Sequence, residues 1–275
     1  MYNVKVIKYP DGSIHYRKFS NAILSKYELE DINADIMLDR LLYDNDDKKI
    51  ANEMRSINSS LNRSKDNIYQ LVHCNNWEWF VTLTFDSKFD RTDYDFLLKK
   101  LRKWLNNVKQ RYASDLKYII IPEEHKRIEE NGKRAYHFHG LFSNCGNLEF
   151  TESFHKSGRA IYSKSGLRVY NILHYNLGFS SATRVQNTDR CSNYMTKYIT
   201  KALCIRQKGK RRFLNSHNLE KPIVELYFMD DETFSNFLPI EDINYCKSVN
   251  CDIGSFHNQV DYYIKDSNTT NSQNK

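Results

Sequence analysis

The order of the short apolar runs in the middle of the chain constrains its fold more than any other sequence feature. Four runs have the length and composition of strands: Trp79–Phe85, 118–121, 135–142 and 179–185. Apolar residues recur at helical spacing over 93–112 and 189–203, and a shorter helix is predicted over 167–175. Pro122 is expected to end the second strand. This order predicts an α+β fold with a mainly antiparallel central sheet flanked by helices.

The remaining segments predict a hairpin, helices and a tail around this core. Residues 2–19 alternate about Pro10-Asp11-Gly12, which is typical of a β-hairpin, and residues 31–74 follow a helical pattern interrupted at 44–47. One late strand is predicted over 223–229. We therefore divide the chain into four parts, which are an N-terminal hairpin with a helical lead-in (1–74), a core domain (75–219), a C-terminal extension (220–265) and a disordered tail (266–275).

The composition favours a water-soluble intracellular protein that binds a polyanion. No run approaches the roughly 18 apolar residues that a membrane span needs, and the N-terminus has no apolar segment typical of a secretory signal. Residues 153–219 carry 13 basic residues and a single acidic one, Asp189, whereas residues 220–275 carry 4 basic and 10 acidic residues. A positive field confined to one segment attracts a nucleic acid, although a solvated basic surface is the simpler alternative.

Two histidines on the third predicted strand suggest a metal site. His137 and His139 are two residues apart, so on a strand they project from the same face, about 6–7 Å apart along it. Phe138 and Leu141 are expected on the opposite, core-facing side. Taken alone, such a pair is more often two exposed histidines than two metal ligands.

A carboxylate is expected beside these histidines. Glu123 and Glu124 end the preceding strand, and a hairpin between the two strands would bring one of them next to the imidazoles. The two glutamates point to opposite faces, so only one can be a ligand, and His125 is a further candidate. Two imidazoles and one carboxylate suit a divalent cation that keeps open positions for a substrate oxygen.

The strongest motif is a tandem Tyr-x-x-Lys in the last predicted helix. Tyr194 and Tyr198 are four residues apart, which places them on one stripe of a helix, and Lys197 and Lys201 repeat the same offset. Two phenols and two ammonium groups in the most basic segment are more than core packing requires. An amphipathic helix with partly buried tyrosines is the structural alternative.

Taken in order, WFVTLTF, PEEH, HFHGLF and YMTKYITK resemble the HUH endonucleases. The similarity is greatest to the rolling-circle replication initiators of small plasmids and single-stranded DNA phages, and it covers about residues 77–215. The resemblance implies a ferredoxin-like or RRM-like core and a cytoplasmic protein of a bacterial host. It implies a metal-dependent endonuclease and nucleotidyltransferase that nicks single-stranded DNA at an origin, in all expectation a stem-loop, and works with a host helicase and polymerase.

The resemblance also assigns roles to the motif residues. It makes His137, His139 and Glu123 the ligands of Mg²⁺ or Mn²⁺, with Glu124 as a substitute. Tyr194 and Tyr198 become nucleophiles that form a 5′-phosphotyrosine and free a 3′-hydroxyl, one holding the DNA end while the other cuts. Lys197 and Lys201 would steady the phosphate or lower the phenol pKa.

A basic run after the tyrosines is predicted to follow the DNA backbone. Its cationic residues are Arg206, Lys208, Lys210, Arg211 and Arg212. A non-catalytic, sequence-specific nucleic-acid-binding protein, such as a repressor or an RNA binder, is the alternative function. It would need no convergent histidines. A zinc-dependent hydrolase would leave the tandem tyrosines unexplained.

Overall fold

The computed structural model describes residues 1–23, 46–129, 131–200, 212–253 and 256–267. Within these ranges the strands are β1 (Tyr2–Lys8), β2 (Ile14–Ile23), β3 (Trp79–Phe85), β4 (Lys117–Ile128), β5 (Arg134–Ser143), β6 (Phe150–Glu152), β7 (Tyr170–Ile172), β8 (Gly178–Arg184), β9 (Leu214–Asn215), β10 (Ile223–Tyr227), β11 (Tyr245–Ile253) and β12 (Phe256–Lys265). The helices are α1 (Asp46–His73), α2 (Tyr94–Arg111), α3 (Thr188–Thr196) and α4 (Asp231–Phe237). The predicted α+β class is confirmed. No helix in this described part of the chain has the length and apolar character needed to cross a membrane.

The chain divides into two compact units. The core unit is Ile57–Glu220, and the terminal unit combines Met1–Ser56 with Lys221–Lys275. The core unit contains a seven-stranded antiparallel sheet in the order β6-β7-β8-β3-β5-β4-β9. The histidine strand β5 therefore lies between β3 and β4, near the middle of the sheet.

The sequence of β3 determines the two faces of this sheet. Its odd-numbered residues are buried, and its even-numbered residues lie on the opposite face, as the period of two requires. Helix α2 covers the buried face, where Trp104 stacks on Phe142 with ring centroids 6.3 Å apart and Tyr94 contacts Tyr136 at 5.2 Å. Asp93 caps α2 by accepting a hydrogen bond from the backbone of Phe96. The opposite face, which carries the histidines, is left for the candidate site.

Three sequence expectations about this unit are wrong. Residues 167–175 form β7 and turns rather than a helix, because Tyr170–Ile172 pairs with β6 and Tyr170 packs edge-on against Trp79. Pro122 does not end β4, which continues to Ile128. β9 pairs with β4 only at Ile119 and Ile120, so the edge beside Pro122 is open and its missing N–H is tolerated there.

The third correction concerns Leu141, which was expected to face away from the histidines. In the register, Leu141 pairs with Phe80, and His139 pairs with Thr82. Directly opposed residues share a face, and Leu141 has the same parity as His139, so both lie on the same side of the sheet. Leu141 is nevertheless fully buried. That face is therefore apolar core at one end and polar site at the other.

The terminal unit is a second antiparallel sheet, in the order β10-β1-β2-β12-β11. The predicted N-terminal hairpin is confirmed, with Gly12 in the left-handed region (φ 89°) at its turn. The late strand is confirmed as β10, which pairs with β1, and β12 pairs with β2. The predicted helical stretch is described only from Asp46 onward, and most of the predicted tail lies outside the described residues.

Candidate active site

The pairing of β4 with β5 brings Glu123 to the histidines. Glu123 lies opposite His137 in the register, and its Oε2 is 2.7 Å from Nε2 of His139. Glu124 points the other way, where its Oε1 accepts a hydrogen bond from the Tyr136 hydroxyl at 3.2 Å. Of the two carboxylates considered from the sequence, Glu123 is the one that shares a face with both imidazoles.

Two threonines of β3 hold the other nitrogen of each histidine. Thr84 Oγ1 is 2.9 Å from Nδ1 of His137, and Thr82 Oγ1 is 3.1 Å from Nδ1 of His139. These contacts fix the orientation of both rings and leave Nε2 as the nitrogen available to a ligand. Neither threonine was predicted as a site residue from the sequence. The signal was the alternation within WFVTLTF, which becomes informative once β3 is known to neighbour β5.

The electrostatic surroundings favour a neutral His137 and an ionised Glu123. Burial, together with the nearby positive charge of His125 and His139 when protonated, lowers the pKa of His137 to about 4. The His125 ring lies 4.0 Å from the His137 ring, so this third histidine joins the same cluster. The hydrogen bond from His139 lowers the pKa of Glu123 below its ordinary value. A neutral imidazole and a carboxylate are the ionisation states that bind a divalent cation.

The helix that carries the tyrosines is shorter than predicted. It ends at Thr196, and the chain continues in tighter turns in which the amides of Lys197, Tyr198 and Ile199 each bond to the carbonyl three residues earlier. Met195 and Ile199 are fully buried, as expected for the side of this segment that faces the core. Tyr198 therefore follows α3 in a tight turn rather than lying one α-helical turn beyond Tyr194.

The two tyrosines lie against the histidine cluster in different environments. The Tyr198 ring stacks on the His139 ring, with centroids 4.1 Å apart and planes at 10°, and Tyr198 is buried. Tyr194 is 46 % exposed and packs edge-on against both Tyr198, at 5.3 Å, and Phe80, at 5.5 Å. One phenol is therefore accessible to a large substrate, and the other is sheltered behind it.

The charge around the phenols follows the same division. Burial, followed by a hydrogen bond with Tyr194, raises the pKa of Tyr198 well above its ordinary value, so its phenol stays protonated in this arrangement. Lys197 Nζ lies 5.7 Å from the centre of the Tyr194 ring. The predicted partner Lys201 lies outside the described residues.

The predicted backbone-tracking residues are described only at their end. Arg206, Lys208, Lys210 and Arg211 lie outside the described residues. Arg212 Nη1 donates to the Ser60 carbonyl at 3.1 Å and to Ser64 Oγ at 3.1 Å. In this conformation Arg212 is engaged with α1.

The donor set suits a divalent cation chemically, but its side chains are bonded to one another. Among the described residues, no group of three His, Cys, Asp or Glu side chains converges as a metal cage. The direct contact between Glu123 and His139 accounts for this, because these two donors satisfy each other. Two imidazoles whose Nδ1 atoms are already held, and one ionised carboxylate, are nevertheless the ligand types of such a site.

One comparison with known proteins gives a match. Residues 78–203 match the family model of the replication-associated proteins of the ORF2 type, and this segment is less than half of the 275 residues. The matched segment contains Glu123, both histidines and both tyrosines. Comparisons with curated proteins and with solved structures give no match. The family match agrees with the predicted resemblance to phage replication proteins over the segment that carries the motifs.

Proposed function

We propose that the chain is a replication initiator that nicks and rejoins single-stranded DNA at an origin and thereby starts rolling-circle replication. The observation that carries the proposal is the stacking of Tyr198 on His139, next to the exposed Tyr194 and the carboxylate of Glu123. The family match over 78–203 supports it, because replication-associated proteins of this family are typically nicking enzymes that act on origin DNA.

In this proposal Tyr194 makes the first cut. Its ring is accessible, whereas Tyr198 is buried and stays protonated. The Tyr194 oxygen forms a bond to the scissile phosphorus as the bond to the 3′ oxygen breaks. The phenol releases its proton to water, and the departing 3′ oxygen takes one up. The product is a 5′-phosphotyrosine and a free 3′-hydroxyl, which a polymerase can extend.

Tyr198 is then the nucleophile of the second cut. After one round of copying, the regenerated origin needs a second phenol while the first still carries the DNA end. Tyr198 is next to Tyr194, with ring centroids 5.3 Å apart, so movement of the turn that follows α3 would bring it forward. Lys197, close to the Tyr194 ring, is placed to neutralise phosphate charge.

His137, His139 and Glu123 are the residues that would hold Mg²⁺ or Mn²⁺. When bound, the cation would polarise the phosphate oxygens and offset the charge that develops on them. The threonine contacts already orient both imidazoles. Glu123 must exchange its hydrogen bond with His139 for a contact with the ion, so we expect it to be the ligand that moves.

A denaturing gel tests the proposal. The full chain is incubated with a labelled library of single-stranded stem-loop oligonucleotides and Mn²⁺, and we expect a protein–DNA band that resists SDS and disappears with EDTA. The double variant Tyr194→Phe with Tyr198→Phe should lose the band. Tyr112→Phe, on the α2 side of the sheet, is the matched control and should retain it. Tight, salt-sensitive binding without any adduct would instead favour the non-catalytic nucleic-acid-binding protein.

A further inference from the structure

A duplicated eight-residue unit lies between β6 and β7. Residues 154–161 read FHKSGRAI and residues 162–169 read YSKSGLRV. Both copies have an aromatic residue first, Lys-Ser-Gly at the third to fifth positions and a β-branched residue last. We call residues 153–169 the arm. The duplication is too short to stand out in the sequence, and it becomes clear when the backbone hydrogen bonds of the two copies are aligned.

The two copies have equivalent backbone structures. The amide of His155 bonds to the carbonyl of Arg159, and eight residues later the amide of Ser163 bonds to that of Leu167, each at 2.8 Å. Gly158 and Gly166 both have φ 78°, and a Cβ added at either position would meet nothing within 4 Å, so glycine is needed there for its conformation. Each copy is therefore a tight turn with a lysine at its tip.

The aromatic residues of the arm are exposed and held in place by one arginine. Phe154 is 56 % exposed and Tyr162 is 61 % exposed. The guanidinium carbon of Arg168 lies 4.8 Å from the Phe154 ring centre and 5.4 Å from that of Tyr162. Glu152 fixes this arginine through a 2.6 Å ion pair. Two large rings are thus ordered at the surface by a cation that has its own counter-ion.

The arm also carries unbalanced positive charge. It contains no acidic residue, and in the described part of the chain no carboxylate pairs with Lys156, Arg159 or Lys164. Each copy thus presents one exposed ring and one lysine. A ligand with one aromatic group and one negative charge per repeating unit matches this pattern, and single-stranded DNA, with one base and one phosphate per nucleotide, is such a ligand.

We infer that the arm is a binding surface for unpaired DNA, on which Phe154 and Tyr162 stack successive bases and Lys156 and Lys164 contact phosphates. The inference rests on the proposed function and names the part of the chain that holds the strand outside the cleavage site. Duplex DNA keeps its bases stacked on each other and would not offer them to these rings. The arm should therefore discriminate in favour of single strands.

Fluorescence anisotropy with a short unstructured oligonucleotide tests this inference. The parent is the full chain with Tyr194→Phe and Tyr198→Phe, in EDTA, so that no cutting occurs. Phe154→Ala with Tyr162→Ala should weaken single-strand binding by at least roughly tenfold, because stacking contributes strongly per base. Lys156→Ala with Lys164→Ala should reduce the slope of log Kd against log salt by about 1.4, which is about 0.7 for each lost phosphate contact.

Matched variants control for charge and folding. Lys99→Ala with Lys103→Ala removes two exposed lysines from α2 and should change neither affinity nor slope. Phe154→Tyr with Tyr162→Phe keeps both rings and should bind like the parent. Thermal melts should be unchanged in the alanine variants, because the side chains removed are exposed.

The outcomes separate this inference from the proposed function. Arm variants that bind like the Lys99/Lys103 control, or an aromatic variant that loses duplex binding as much as single-strand binding, would overturn the arm. A chain with the natural tyrosines that forms no adduct, but whose single-strand binding depends on the arm, would refute the nicking proposal and leave the arm in place.

Discussion

The ring of Tyr198 lies flat against the ring of His139, 4.1 Å away, while the other edge of that imidazole is hydrogen-bonded to Glu123. A phenol, an imidazole and a carboxylate are thus in direct contact on one face of a sheet. The accessible Tyr194 lies at the rim of this cluster. Burial separates the two phenols, and this difference gives the sharpest test of their roles.

Tyr194→Phe should abolish the covalent adduct on fresh single-stranded DNA, because it removes the accessible phenol. Tyr198→Phe should still form the first adduct but should fail to transfer the bound strand to a second oligonucleotide. Denaturing gels of one-step and two-step reactions measure both activities. A first adduct that survives in Tyr194→Phe and is lost in Tyr198→Phe would reverse the order we assign.

Glu123→Gln should weaken Mn²⁺ binding and slow adduct formation, because the amide keeps the shape of the side chain but removes its negative charge. Isothermal titration calorimetry with Mn²⁺ gives the affinity without any need for activity. Glu124→Gln is the matched control, since that side chain faces Tyr136 on the other side of the sheet. Equal loss in both variants would argue against Glu123 as the ligand.

Replacing Thr82 and Thr84 by valine should lower Mn²⁺ affinity by roughly 10- to 100-fold, as expected when groups that orient metal-binding histidines are removed. The same fold should remain, because valine suits a strand. Thr183→Val, on the neighbouring strand β8, controls for the loss of a hydroxyl. Unchanged affinity in the double variant would mean that the threonine contacts do not hold the imidazoles for metal.

The stability of the metal-free chain should fall on acidification, in a pH range set by His137. Its pKa is lowered to about 4 in the folded chain, so the folded state resists a proton that the unfolded chain accepts near pH 6.5. The stabilising contribution is complete above about pH 6.5 and is lost as the pH falls toward 4. Chemical denaturation in EDTA measures it, and His137→Asn should flatten the dependence. An equally steep loss in that variant would assign it to other groups.

Gly140→Ala should destabilise the core unit by about 1–3 kcal/mol, the usual cost of overpacking. A Cβ at this position would lie 3.0 Å from the Ile119 carbonyl oxygen and 3.2 Å from Val81 Cγ2. Urea denaturation followed by tryptophan fluorescence reports the loss. An unchanged unfolding midpoint would show that β4 can move away from β5 at little cost.

Local patterns in the sequence predicted most of the core unit. β3 is confirmed at both ends, and α2 and β5 are confirmed within two residues, because each is a periodic segment bounded by clear breaks. Periodicity also placed both histidines on one face. It could not choose between Glu123 and Glu124, because that choice depends on the register between β4 and β5, which is a property of two segments together.

The errors have the same origin in long-range structure. Residues 167–175 were expected to be helical, but β7 gains its partners from β6 and from Trp79, far away in sequence. The sheet of the terminal unit pairs β1 with β10, more than two hundred residues apart, which no local pattern announces. The stacking of Tyr198 on His139 likewise depends on α3 ending at Thr196, a point at which the helical pattern of the sequence shows no break.

The most direct test of the central claim is the mass of the peptide that carries the DNA. After reaction with single-stranded DNA and Mn²⁺, nuclease and trypsin treatment would separate the two tyrosines, because cleavage after Arg190, Lys197 and Lys201 puts them on peptides 191–197 and 198–201. We predict a nucleotide adduct on peptide 191–197 after the first cut. The absence of an adduct on both peptides, with origin DNA present and cut, would contradict a tyrosine-linked mechanism.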